Sequence, residues 1–271
     1  MRFTIIIPTL NEEAYISDVL SSLAKQTHRD FEVIIVDAHS QDTTREKVRG
    51  FDKKLPKLRI LESRRKHVSV QRNIGADAAD GEYLLFFDAD VSIPPTFLSA
   101  IDRAVKRRKS LVLTTWLTPS TRQEQDLIMC MVYNVSLRPA IQLERPFVAG
   151  YNIIVQKQFF DHVGQFNTKI SMSEDHDLVK RCQNAGVRMH VLTRPKLIMS
   201  MRRFKRYGYF SILRTYTKTW GYMLLRKSIN KTMIDYPMGG HLYKKKAPDR
   251  RRYLKRFEDK LFDTINAVLR S

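Results

Sequence analysis

Four short apolar runs, at residues 3–7, 31–36, 58–61 and 83–87, alternate with stretches of helical periodicity through the first hundred residues. That alternation restricts the fold more than any other feature, because strands separated by helix-length segments build βαβ units on a mostly parallel sheet with helices on its faces. Between the first two runs, Ile16, Val19, Leu20 and Leu23 fall on one side of a helix that Asn11 is suited to cap. Helices are expected near 43–51 and 70–79, and Pro94 and Pro95 suit the opening of another that ends near Arg107. Beyond that point the pattern is less regular. Strands are expected at 111–116, at 147–155 with an interruption at Gly150, and at 187–192; helices at 123–137, 158–163 and 174–185, the last stopped by Gly186.

A chain of 271 residues with 43% hydrophobic content can fill the core such a sheet needs. It contains no apolar run of eighteen residues, and MRFTIIIPTL is too short for a signal peptide, so a cytoplasmic protein is expected. Cys130 and Cys182 lack metal-type spacing and read as buried thiols. The formal charge of +20 favours anionic partners. It is unevenly placed: residues 200–271 hold 19 Lys and Arg against 5 Asp and Glu.

The fourth run ends in acids. In EYLLFFDADVSIPP, Asp88 and Asp90 stand one residue apart directly after the strand, and Asp37 ends FEVIIVD in the same way. Ligands of open α/β sheets sit outside the carboxyl ends of the strands. Paired carboxylates at that edge suit a hard divalent cation shared with substrate phosphates. A turn in which Asp binds its own backbone is the alternative on spacing alone.

A set of motifs in one order separates these readings. IIIPTLNEEAYISDVLSSLAKQT, FEVIIVDAHSQDTT, VQRNIGADAADGEYLLFFDADVSIPP, FVAGYNIIV and SEDHDLVKRCQNAG together resemble family 2 glycosyltransferases, across roughly residues 3–192. The resemblance implies the GT-A fold, a Rossmann-like mostly parallel sheet flanked by helices. It also implies inverting transfer from a UDP- or GDP-linked sugar, supported by Mn²⁺ or Mg²⁺. By position, Pro8, Thr9, Asn11, Glu12 and Asp37 would serve the nucleotide, and Arg72 and Asn73 would help to hold it. Asp88 with Ala89 would lie near the ribose, and Asp90 with Asp88 at the metal. Gly150 would allow close approach to the sugar. Asp175 matches the base that deprotonates the acceptor hydroxyl, with Glu174 positioning it. Residue by residue, other readings stand: Asn11 as a cap, Glu12 as a first-turn acid, and Ser173 with Glu174, Asp175 and Asp177 as ordinary helix-start chemistry.

By the same resemblance, Arg202 and Arg203 would close over the diphosphate, where a guanidinium binds phosphate bidentately. Phe210, Leu213, Tyr216, Trp220, Met223 and Leu224 then follow at helical spacing among basic residues. An amphipathic basic helix of this kind suits peripheral association with an anionic membrane, and packing on the core is the other use of such a stripe. The expected organisation is a catalytic domain over 1–199, with a nucleotide-binding half at 1–110 and an acceptor half at 111–199. A basic helical region follows at 200–271. The expected place is the inner face of the cell membrane and the expected acceptor a glycan or polyprenyl-linked molecule. Polyprenyl-phosphate sugar synthases are relatives, but Ala38 replaces the second acid common in their VDD motif. A nucleotidyltransferase is disfavoured because TLNEEAY has no Gly-rich loop. Nucleic-acid binding is disfavoured because the excess charge lies outside the motif-bearing core.

Overall fold

The computed structural model describes residues 1–170, 173–209, 212 and 240. Seven strands form one sheet: β1 (Phe3–Thr9), β2 (Phe31–Asp37), β3 (Leu58–Glu62), β4 (Tyr83–Phe86), β5 (Val112–Pro119), β6 (Ile153–Gln156) and β7 (His190–Met199). Their order is β3-β2-β1-β4-β6-β5-β7. β6 alone runs antiparallel to its neighbours, so the sheet is mostly parallel, as the alternation of runs requires.

Because side chains alternate along a strand, each inner strand serves two cores. Ile5, Ile7, Val33, Ile35 and Leu85 enter one, with α1 (Ile16–Ala24) and α4 (Phe97–Arg108) packed over them. Ile6, Ile34, Val36, Leu84 and Phe86 enter the other, under α3 (Val68–Asp77), α6 (Lys157–His162) and α7 (Glu174–Asn184). The stripe Ile16, Val19, Leu20 and Leu23 is fully buried, and each such side chain contributes roughly 2 kcal/mol. The remaining helices are α2 (Thr44–Arg49), α5 (Glu124–Gln142) and α8 (Arg202–Tyr207).

Several sequence expectations need correction. Asn11 does not cap α1, which begins at Ile16 after Tyr15; it sits at φ 53° in the loop before it. Pro94 and Pro95 precede α4 rather than opening it, and their carbonyls accept hydrogen bonds from Gln26 and Thr27. The stretch 147–152 is not strand: Gly150–Asn152 forms a 3₁₀ turn that leads into β6. β7 runs past Pro195 to Met199, against an expected end at 192. As an edge strand it tolerates proline, and its pairing with β5 shifts register between Thr115 and Leu117. α5 continues through Pro139 because Leu137, Ala140 and Ile141 still pack on the core. The expected amphipathic stripe from Phe210 to Leu224 lies outside the described residues.

Candidate active site

Register brings the acids to one edge. Thr9 pairs with Asp37 at the ends of β1 and β2, and β4 ends beside them at Phe86. Asp37 is buried, and Thr9 Oγ1 and Ser40 Oγ donate to its Oδ2 at 2.8 and 2.5 Å. The Ser40 amide and Arg45 Nε donate to its Oδ1 at 2.9 and 2.7 Å. Burial pushes the Asp37 carboxyl up, but these hydrogen bonds outweigh it and hold the group below the usual carboxylate range. Gln71 Nε2 ties the edge together from α3 by donating to the carbonyls of Thr9 and Val36. The loop after β1 is fixed from the same side. Asn11 Oδ1 accepts from the Gln41 amide at 2.7 Å, and the Glu12 amide donates to Thr44 Oγ1 at 2.8 Å.

The acids that follow β4 divide between two arginines. Asp88 Oδ1 accepts from Arg72 Nη2 at 3.2 Å, while Arg72 Nη1 donates to Glu174 Oε1 at 2.9 Å. Arg72 is buried on α3, lies over the Phe166 ring at 5.3 Å and thus joins the β4 edge to the start of α7. Asp90 Oδ2 instead meets Arg202 Nε at 2.7 Å. The same guanidinium contacts Glu12 at 2.8 and 3.3 Å and rests over the Tyr15 ring at 4.2 Å. Arg203 adds positive charge close to Asp90. Ala89, between the two acids, is buried.

Acids dominate this space, and protonation reflects it. Burial raises the Glu12 carboxyl to about 7, against the Arg202 contact and with Asp90 and Asp88 adding to the rise. Burial likewise raises Glu174 to about 7, reinforced by Asp175 and opposed by Arg72. Asp90 is also pushed up, first by burial.

Asp175 opens α7 beside Glu174. Ser173 occupies the N-cap position at φ 67° and makes no side-chain capping bond, while Glu174, Asp175 and Asp177 stand in the first turn, where the helix dipole favours acids. The Asp175 carboxylate faces the 3₁₀ turn: a Cβ on Gly150 would lie 3.2 Å from Asp175 Oδ2 and 2.8 Å from Arg72 Nη1. An alanine Cβ there would press on the Arg72 guanidinium, which its ion pairs with Asp88 and Glu174 hold in place. Gly150→Ala is expected to cost about 1–3 kcal/mol through overpacking, read as a lower Tm.

The structure therefore gathers Glu12, Arg72, Asp88, Asp90, Gly150, Glu174, Asp175 and Arg202, with Thr9, Asn11 and Asp37 along the adjoining edge. Pro8 is part of β1, one residue before Thr9. Asn73 is placed differently: its amide exchanges hydrogen bonds with the Phe166 backbone at 2.9 and 3.1 Å. Sequence reasoning missed Ser40, Arg45, Gln71 and Tyr133. The signal for Gln71 is a polar residue on the core side of a helix. Tyr133, whose hydroxyl accepts the Ala149 amide at 2.8 Å, carries no such mark. Gly240 was missed as well: its amide donates to the Leu10 carbonyl at 3.2 Å, and a Cβ there would meet Glu12 Oε2 at 2.5 Å.

The residues also bear on a metal. No cluster of three or more His, Cys, Asp or Glu side chains arranged to hold an ion occurs among the described residues. Two hard carboxylates, Asp88 and Asp90, do fit a cation that takes its other ligands from phosphate oxygens and water.

The sequence profile of Glycosyl transferase family 2 matches residues 4–164. The chain belongs to glycosyltransferase family 2. Among relatives of this family 2 enzyme, the poly(ribitol-phosphate) beta-N-acetylglucosaminyltransferase TarS of Staphylococcus aureus is 41% identical over 93 residues, 33% of this chain and 16% of TarS. The chain thus matches about a sixth of the length of that relative. A PGL/p-HBAD biosynthesis glycosyltransferase of Mycobacterium tuberculosis is 30% identical over 186 residues, 66% of this chain and 69% of the relative. The fold is that of GT-A glycosyltransferases. TarS solved with UDP-GlcNAc superposes with a TM-score of 0.60 at 24% identity, covering 74% of this chain and 58% of that one. A mannosyltransferase of Pyrobaculum calidifontis solved with GDP-Man and Mn²⁺ gives 0.61 at 20% identity, covering 80% and 64%.

Proposed function

We propose that this family 2 glycosyltransferase inverts the anomeric centre as it moves a sugar from a UDP- or GDP-linked donor to a glycan or polyprenyl-linked acceptor. It does so at the cytoplasmic face of a membrane. The observation that carries the reading is the division of Asp88 and Asp90 between Arg72 and Arg202, with the Asp175 carboxylate against Gly150 beside Arg72. In this reading Thr9, Asn11 and Asp37 receive the nucleotide, and Arg202 and Arg203 turn from Asp90 and Glu12 to the diphosphate. When bound at Asp88 and Asp90, Mn²⁺ or Mg²⁺ supplies Lewis-acid neutralisation of the leaving diphosphate.

The chain's own residues supply the rest. Asp175 takes the proton from the acceptor hydroxyl as its oxygen bonds to the anomeric carbon. The bond to the diphosphate breaks on the opposite face, and the electron pair leaves with the nucleoside diphosphate. Glu174, anchored on Arg72, fixes the start of α7 and so the position of Asp175. Nucleotide-sugar complexes of the two structural neighbours support the donor class, and Mn²⁺ in one of them supports the ion. Residues 1–199 form the catalytic unit and 200–271 the basic region that faces the membrane, with Arg202 and Arg203 reaching back into the site.

Calorimetric binding of a panel of UDP- and GDP-sugars, with and without Mn²⁺ or Mg²⁺, tests the proposal. At least one donor should bind more tightly with the ion, and Asp90→Ala should abolish that gain. A chain that binds no donor, or an Asp90→Ala variant with the full metal effect, removes the reading.

A further inference from the structure

Large apolar side chains that reach solvent are concentrated on one helix. Leu127, Met131, Val132 and Val135 on α5, and Leu143 just past its end, are between 46% and 72% exposed. Of the other described large apolar residues only Met1 and Tyr207 are exposed to a comparable degree. The spacing places Leu127, Met131, Val132 and Val135 on one side of a nineteen-residue helix whose other side, with Asp126, Cys130, Leu137 and Ala140, is buried. A contiguous apolar face of this kind on a soluble surface marks a place where something else binds.

Its neighbours identify the partner. Tyr209 donates its hydroxyl to Asp126 on α5, and Phe204 and Ile212 share a cluster with Met129 of the same helix. The basic region therefore begins against α5, and the sequence from residue 200 onward carries a net +14. Two copies of a +20 chain repel one another, whereas an anionic surface attracts the charge and receives the apolar face together. The helix also reaches the site: Tyr133, on its inner side, holds the amide of Ala149 next to Gly150.

We propose that the exposed face of α5 inserts into the headgroup layer of an anionic lipid membrane and sets the catalytic edge against it. The inference rests on the reading of the chain as a transferase with a membrane-borne acceptor and names the surface that reading needs. Lipid contact at α5 would place an acceptor's sugar or phosphate near the Gly150 turn and Asp175.

The test uses the full chain with Val135→Cys carrying an environment-sensitive fluorophore. Cys130 and Cys182 are buried, and burial pushes their thiols up to about 12 and about 11, so the introduced thiol labels selectively. Vesicles of phosphatidylglycerol and phosphatidylcholine should shift the emission to the blue; phosphatidylcholine alone should do so weakly. In flotation, the pair Val132→Glu and Val135→Glu should lower partition about tenfold or more, since each carboxylate must stay in water. An unshifted probe, or the double variant floating like the parent, overturns the proposal. A probe already blue-shifted without lipid means that part of this chain covers the face, and an association of copies lost in the double variant means self-assembly; either outcome also overturns it. Donor binding is measured separately, so vesicle binding without nucleotide-sugar binding would strike the functional reading alone.

Discussion

Asp175→Asn is expected to bind the donor about as well as the parent and to lose transfer by about 10²–10⁴-fold, the range a general base contributes. The amide matches the carboxylate in size, so it can still accept the His176 backbone N–H now held by Asp175 Oδ1 at 2.8 Å. The ion pairs of Arg72 with Glu174 and Asp88 stay in place as well. What the amide cannot do is take a proton. Single-turnover transfer alongside calorimetric donor binding separates the two effects. Glu174→Gln is the informative companion: it weakens the Arg72 anchor and should disturb donor binding and transfer together, because Arg72 also holds Asp88. An Asp175→Asn chain that transfers within a few-fold of the parent would remove Asp175 from the base role and leave the donor site standing.

How much of this was legible beforehand follows from which forces are local. The parallel strands announced themselves because burial on both faces demands the continuous runs TIIIP and EVIIV. The grouping of Asp37, Asp88 and Asp90 followed from strand ends, since parallel strands deliver their carboxyl termini to one edge. The partners of those acids were not legible in the same way. Arg202 meets Glu12 across 190 positions of sequence, and Arg72 meets Glu174 across 102. No periodicity links such residues; the folded sheet does. Asn11 misled for a local reason. Asn is a favoured helix cap, but it also adopts left-handed backbone easily, and here the loop used the second property while its side chain took the Gln41 amide. The exposed face of α5 lay hidden in a segment whose apolar residues surround the helix almost evenly, so the sequence alone did not divide buried from bare.

Replacing Arg72 with methionine is expected to cost about 1–3 kcal/mol at neutral pH through its lost hydrogen bonds and ion pairs, because Glu174, already at about 7, takes a proton rather than remain an unpaired buried charge. The arginine is 2% exposed and serves two acids, of which Glu174 is the more enclosed. pH distinguishes this from simple loss of packing. Glu174 and Glu12 stand at about 7 in the folded chain, against an ordinary 4.5. The folded state therefore holds protons that the unfolded state has released. Their contribution is fully present below about pH 4.5 and is lost as pH rises through about 7, on the order of 3 kcal/mol for each group. Asp37 has the opposite sign, but its window lies below its ordinary value of 3.8, outside that range. His67 and His190, depressed by burial, oppose the trend by gaining stability as pH rises toward 6.5, so the difference between variants is the clean readout. Calorimetric melting at pH 5, 6, 7 and 8 should show Glu174→Gln flattening the decline. Arg72→Met should steepen it and carry it to higher pH, because the guanidinium that favoured ionised Glu174 is gone. A Glu174→Gln curve parallel to the parent would mean that this carboxyl is ionised throughout, and that Arg72 compensates its charge in full.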